Sequence, residues 1–166
     1  DWRGAPPPDA VVQVAERRGC DLSPLDPVRD RLRILSYLWP DQAGRLALTG
    51  AALTLPPAPV DRADAGDWLP ARAAPRAGSC HLICHTVAWQ YFPPDSAARA
   101  RAALVAAGAQ ATDRAPVAWF GMEGDGAAPG AALTLRLWPG DLRIAMGRVD
   151  FHGRWIDWRA PSPACG

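Results

Sequence analysis

His81-Leu82-Ile83-Cys84-His85-Thr86-Val87 is almost continuously apolar, the pattern of a parallel strand covered on both faces. The reading predicts a strand over 81–87 at the centre of a sheet, and the rest of the chain is placed around it. Downstream, Pro93, Pro94 and Asp95 open a helix that passes Leu104 and Val105 and stops at Gly108, with Pro suited to the first turn and Gly to the end. Residues 116–122 then read as a second buried strand. After Gly130 the period becomes two: Leu133, Leu135 and Leu137 alternate with Thr134 and Arg136, Pro139 and Gly140 turn the chain, and Leu142, Ile144 and Met146 alternate again. This predicts a β-hairpin over 132–150. Beyond Gly147 the apolar residues move to the odd positions Val149 and Phe151, so an inserted residue there bulges the strand and flips its faces.

Upstream, Val11, Val12 and Val14 give a short β-branched run, read as a strand over 11–15 that Gly19 and Pro24 close. Val28, Leu32, Leu35, Leu38 and Trp39 follow at helical spacing from Pro27, with Pro40 as the stop. Leu46, Leu48 and Leu53 form a weaker helical stripe. Residues 59–63 read as another strand, and 64–73 as a loop entering a short helix with Asp67 as its N-cap. Strands alternating with helices and ending in a hairpin imply an α/β fold, with strands 11–15, 59–63, 81–87 and 116–122 mutually parallel and the hairpin antiparallel at one edge. The whole of 1–166 is read as a single domain with a flexible tail at 160–166. In such sheets ligands bind at the carboxyl ends of the strands, here 21–26, 64–67, 85–91 and Glu123.

A chain of 166 residues, about half of them apolar, has the size of a domain with its own core. Eighteen Arg and no Lys against seventeen acidic residues leave a net charge of +1, which gives no basic field for nucleic acid. Charges and Pro break every apolar stretch before the length a bilayer demands, so the expectation is a cytoplasmic protein with no membrane partner. The start at Asp1, followed by Pro6, Pro7 and Pro8, suggests a processed piece of something longer. Cys20, Cys80, Cys84 and Cys165 lack the spacing of a disulfide scaffold. Cys80, His81, Cys84 and His85 are soft metal ligands, but a strand puts the two Cys on one face and the two His on the other, so no metal site is expected.

Five stretches carry a family resemblance: 1–4 before the Pro run, 17–24 (Arg-Arg-Gly-Cys-Asp-Leu-Ser-Pro), 38–42 (Leu-Trp-Pro-Asp-Gln), 85–91 (His-Thr-Val-Ala-Trp-Gln-Tyr) and 150–155 (Asp-Phe-His-Gly-Arg-Trp). In this order they resemble the bacterial family catalogued as domain of unknown function 2332, whose members are about twice as long and are similar to Rossmann-like S-adenosylmethionine (SAM) methyltransferases. The resemblance implies a Rossmann-like, mostly parallel sheet that is incomplete here, because the Gly-rich turn that would approach the cofactor belongs to the preceding N-terminal segment. That segment is then the implied partner, and this chain alone is not expected to bind SAM. Carried over by position, Asp21 would meet the ribose hydroxyls, Asp64 the adenine amine, and His85 and Tyr91 would stand beside the methyl donor as catalytic candidates. The usual Asn or Asp, two Pro and an aromatic are absent from 85–91.

Each residue also has a structural reading. Asp21 organises a turn, Asp64 and Asp67 cap a helix, and His85 is a hydrogen-bonded histidine at a strand end. Trp89, Tyr91, Trp119 and Trp155 form core or cleft wall, and His152 satisfies a carbonyl. The sequence leaves two functions open: a methyltransferase-type enzyme completed by residues outside the chain, or a non-catalytic binding or structural module on a degenerate Rossmann-like scaffold. It also demands that something fill the place of the missing strand. Residues 11–15 paired with 81–87, a second copy in a homo-oligomer, or the absent segment would do so.

Overall fold

The computed structural model describes residues 1–6 and 9–160; all of the expected tail beyond Ala160 lies outside them. The strands are β1 (Trp2–Arg3), β2 (Gly19–Asp21), β3 (Val60–Arg62), β4 (His81–Thr86), β5 (Val117–Glu123), β6 (Ala131–Trp138), β7 (Leu142–Val149) and β8 (Ile156–Trp158). The helices are α1 (Arg31–Ser36), α2 (Ala43–Ala52), α3 (Ala65–Arg72) and α4 (Pro94–Ala109). Contacts gather into two compact units, Asp1–Gln13 with Ala65–Gly166, and Val14–Asp64.

The larger unit holds a six-stranded mixed sheet in the order β1-β8-β7-β6-β5-β4. Only β1 with β8 and β4 with β5 are parallel, while the three pairings from β5 through β8 are antiparallel. This corrects the expectation of a mostly parallel sheet: the hairpin lies inside it and extends it by meander. The stretch 81–87 is corrected as well. It is the outermost strand, and its outer edge has no strand neighbour among the described residues. His81, Ile83 and His85 are half-buried whereas Leu82, Cys84 and Thr86 are exposed. An apolar run reports side-chain type, but a central place requires ladder partners on both sides, and this strand finds one.

Helix α4 begins with Pro94 in its first turn and Asp95 beside the helix N-terminus, both favourable there. Its inner face is built from small residues. Ser96, Ala100, Leu104, Ala107 and Gly108 are buried, and a β-carbon at Gly108 would run into the Trp138 indole, so the missing side chain is what lets the helix approach β6. Leu69 of α3 and Ala73 just after it join Ala100, Leu104 and Ala107 in one cluster, with Ile83, Trp89 and Trp119 packed against it. A second cluster gathers Ala131, Leu133, Met146 and Val149 with Phe120, Met122, Leu135 and Ile144. Helix α3 starts at Ala65, so Asp67 is a first-turn residue and not the N-cap, and its carboxylate bonds Arg99 of α4 at 2.9 Å.

The bulge falls one residue from the expected place. Leu133 pairs with Gly147 and Thr134 with Ala145, which leaves Met146 as the extra residue. Gly147 there has φ +132°, and a β-carbon would meet the Asp157 carbonyl. The stretch 150–155 is a turn between β7 and β8. Asp150 Oδ1 accepts the His152 amide at 2.9 Å and Oδ2 accepts Arg154 Nη2 at 3.0 Å, and chiefly the Arg154 guanidinium holds the Asp150 carboxyl down at about 2.

In the smaller unit β2 and β3 form their own parallel pair, Cys20 opposite Asp61, tied by a forked bond from Arg18 to Asp61 at 2.7 and 2.6 Å. No strand forms over 11–15: Val11, Val12 and Val14 are 93%, 80% and 67% exposed, and the ladder begins at Gly19, whose amide donates to Pro59. β-Branched composition supplies propensity without a partner. The predicted pairing of 11–15 with 81–87 therefore does not occur. Helix α1 starts four residues after Pro27 because Asp26 Oδ1 holds a turn through the Val28 and Arg29 amides, both at 2.8 Å.

Candidate functional site

Parallel pairing of β4 with β5 sets His85 opposite Gly121. The next residue but one, Val87, takes φ +48°, a conformation costly for a β-branched side chain. This bend turns the following two amides toward the end of β5. Ala88 and Trp89 each donate to Glu123 Oε1 at 2.9 Å, and His85 Nδ1 donates to the same oxygen at 2.7 Å. The other oxygen, Oε2, is shut off from solvent and has no hydrogen-bond partner among the described residues. Burial opposes ionisation of Glu123, but the two amides and the imidazole outweigh it and hold the carboxyl below the usual range.

On the other side of the ring, Trp119 Nε1 donates to His85 Nε2 at 2.9 Å. An indole nitrogen can only donate, so Nε2 is the acceptor and Nδ1 carries the proton. Both imidazole nitrogens are thereby engaged. Space for the ring comes from Gly121, where a β-carbon would lie 3.0 Å from His85 Cε1 and 3.2 Å from Thr134 Oγ1.

The rings of Trp89 and Trp119 lie 5.1 Å apart at a tilt of 41°, and the Arg101 guanidinium of α4 lies over both, 5.4 and 5.6 Å from their centroids. With Thr134, Arg136 and Arg143 these residues line a cleft of about 410 Å³ on the face of the sheet that α4 partly covers. Cross-strand pairing puts Arg136 opposite Arg143. Arg136 forks to Asp141 and lies 4.5 Å over Trp138. Arg143 reaches the same carboxylate at 3.8 Å and is 70% exposed. Arg101 makes no hydrogen bond or ion pair among the described residues.

Of the residues singled out from sequence, His85 lies in the cleft, while Tyr91 is 74% exposed and does not line it. Asp21 and Asp64 belong to the other compact unit. Asp21 ends β2 and Asp64 follows β3, the strand paired to it, with the Ala63 amide donating to the Asp21 carbonyl. The Asp21 carboxylate accepts the Ser23 amide at 2.6 Å, the turn-forming role. Trp89 and Trp119 are cleft wall. His152 sits in the β7–β8 turn rather than in a strand. Cys84 is exposed on the face of β4 opposite His81 and His85. The three arginines were not anticipated, although the alternation of β6 and β7 puts Arg136 and Arg143 on one face.

No curated protein and no solved structure matches the chain. The family model described as an uncharacterized protein conserved in bacteria, DUF2332, matches residues 1–158, nearly its whole length, and the chain belongs to that family.

Proposed function

We propose that this chain is a small-molecule binding module whose site is the His85–Trp119 cleft. The observation that carries this reading is the engagement of both His85 nitrogens. A general base needs a lone pair within reach of the proton it takes, and here that lone pair is spent on the Trp119 indole. His85 thus acts as a strut that fixes one aromatic wall. A cleft of this volume with aromatic walls and a few convergent polar groups is the usual form of a small-ligand site. The free thiols of Cys20, Cys80 and Cys84 suit a reducing cytoplasm.

The test is a titration of the chain with phenol and with phenyl phosphate, followed by the indole N–H resonances of Trp89 and Trp119. At least one probe should shift both saturably. Silence with both probes overturns the reading.

A second reading keeps the Rossmann-like methyltransferase frame, with Asp21 and Asp64 as cofactor residues and the N-terminal segment of longer family members completing the site. In its favour, Asp21 and Asp64 close adjacent parallel strands, where ligands of open α/β sheets bind. Calorimetry on a longer family member that carries the N-terminal segment separates the two: added SAM gives no heat of binding on the first reading. Saturable heat that Asp21→Ala abolishes would install the second.

A further inference from the structure

We infer that the ligand of this cleft is an aromatic ring bearing an anionic group, a carboxylate or a phosphate ester, and that Arg101 holds the anion. The inference rests on the cleft being a binding site.

Charge is the first argument. Arg101, Arg136 and Arg143 line the cleft with one carboxylate, Glu123, and Asp141 stands beside the two β-strand arginines. Three guanidinium groups thus face two carboxylates. Glu123 offers little to a ligand, since Oε1 already takes three donors and Oε2 is closed to solvent. Asp141 is forked by Arg136 and also approached by Arg143. Of these three guanidinium groups, Arg101 is the one without a carboxylate partner among the described residues.

Geometry is the second. The Arg101 guanidinium lies over the rings of Trp89 and Trp119, 5.4 and 5.6 Å from their centroids, and its N–H edge makes no hydrogen bond among the described residues. That edge forms a planar fork matching the two oxygens of a carboxylate or phosphate. A ring attached to such an anion finds the tilted indole pair, 5.1 Å between centroids, as its wall.

A packing role alone would make Arg101 a cover for two indoles through its aliphatic stem. The experiment separates these roles by adding benzoate and the variants Arg101→Met and Arg101→Lys to the titration with phenol and phenyl phosphate. Phenyl phosphate and benzoate should bind at least about tenfold more tightly than phenol, the worth of a charge-assisted bond. Arg101→Met should bring both anions to the level at which that variant binds phenol. Arg101→Lys, which keeps charge and loses the fork, should fall between. Added salt should weaken the anions and spare phenol. If phenol binds as well as the anions, or if Arg101→Met leaves the anions unaffected, the anionic ligand is refuted while the binding module stands. If no probe shifts either indole, both fall. The indole spectrum of each variant reports at the same time that the fold is kept.

Discussion

Glu123→Ala removes one oxygen that serves three donors, and its cost can be worked from the contacts. Truncation strands His85 Nδ1–H and the amides of Ala88 and Trp89. A buried donor without a partner costs about 1–3 kcal/mol. The Glu123 side chain retains 20% of its exposure, so water reaches part of the site and the lower end applies, about 3 kcal/mol for the three. For a chain of this size that is a fall in Tm of about 6–12 °C. Glu123→Gln keeps one acceptor but puts an amide NH₂ where Oε2 finds no partner, and should cost less, about 1–2 kcal/mol. Acidity gives an independent check. The Glu123 carboxyl is held below its ordinary 4.5, so its ionisation contributes stability that is fully present above that value and is lost as pH falls through the lower folded one. Glu123→Gln cannot titrate, and the gap between wild type and variant should shrink on acidification. Urea unfolding at neutral and acid pH, followed by the Trp89 and Trp119 indole resonances, measures both. A loss below about 1 kcal/mol for Glu123→Ala, or a gap that widens in acid, would refute the assignment of the three donors to one carboxylate.

Two further substitutions probe the same wall. Gly121→Ala sets a β-carbon 3.0 Å from His85 Cε1 and 3.2 Å from Nε2. It should push the ring off Trp119 at a cost of about 1–3 kcal/mol, with faster solvent exchange of the Trp119 indole proton; an unchanged indole proton would show that the ring has slack. Val87→Gly should come out near neutral, because relief of a left-handed backbone worth about 1–3 kcal/mol offsets the entropy of glycine and the lost side chain. A loss above about 2 kcal/mol in thermal unfolding would mean that φ +48° carries little strain.

Local patterns were legible in the sequence to the extent that they were self-contained. The period-two alternation from Leu133 to Met146 fixes a hairpin without any knowledge of neighbours, and the shift of apolar parity past Gly147 announced the bulge at Met146. Pro94 and Gly108 bracket α4 nearly to the residue. Strand order was not legible. Whether 81–87 lies inside the sheet depends on which strands come to its two edges, and nothing within those seven residues encodes that. Val11, Val12 and Val14 failed for the same reason. Several of the residues that carry the family resemblance turn out to build turns. Asp150 and Arg154 clamp the β7–β8 connection, and Asp21 orders Ser23. At 85–91, by contrast, the backbone bends against local preference to serve a carboxylate, and that site alone among them opens on the cleft.

The role of His85 shows why site chemistry was less legible than fold. From sequence, a histidine at a strand end reads as a hydrogen-bonded structural residue or as a base, and the group that bears on the choice is Trp119, 34 positions away. Had Trp119 been a residue without an N–H, Nε2 would face the cleft with a free lone pair and Glu123 behind it, the arrangement of a general base. On the proposed reading the indole donor occupies that lone pair and the pair serves as a support. Support then runs in one direction: the Val87 bend presents two amides, the amides and His85 share Glu123 Oε1, His85 fixes the Trp119 indole, and Trp119 with Trp89 carries the Arg101 guanidinium. Each member restricts the next, so the guanidinium over the indole pair is placed before any ligand arrives, and a ligand meets little ordering cost when it binds. Strain at Val87, the closed-off Oε2 and an arginine with no carboxylate partner among the described residues are three separate departures from what a structure built only for stability would adopt, and they converge on the same cleft.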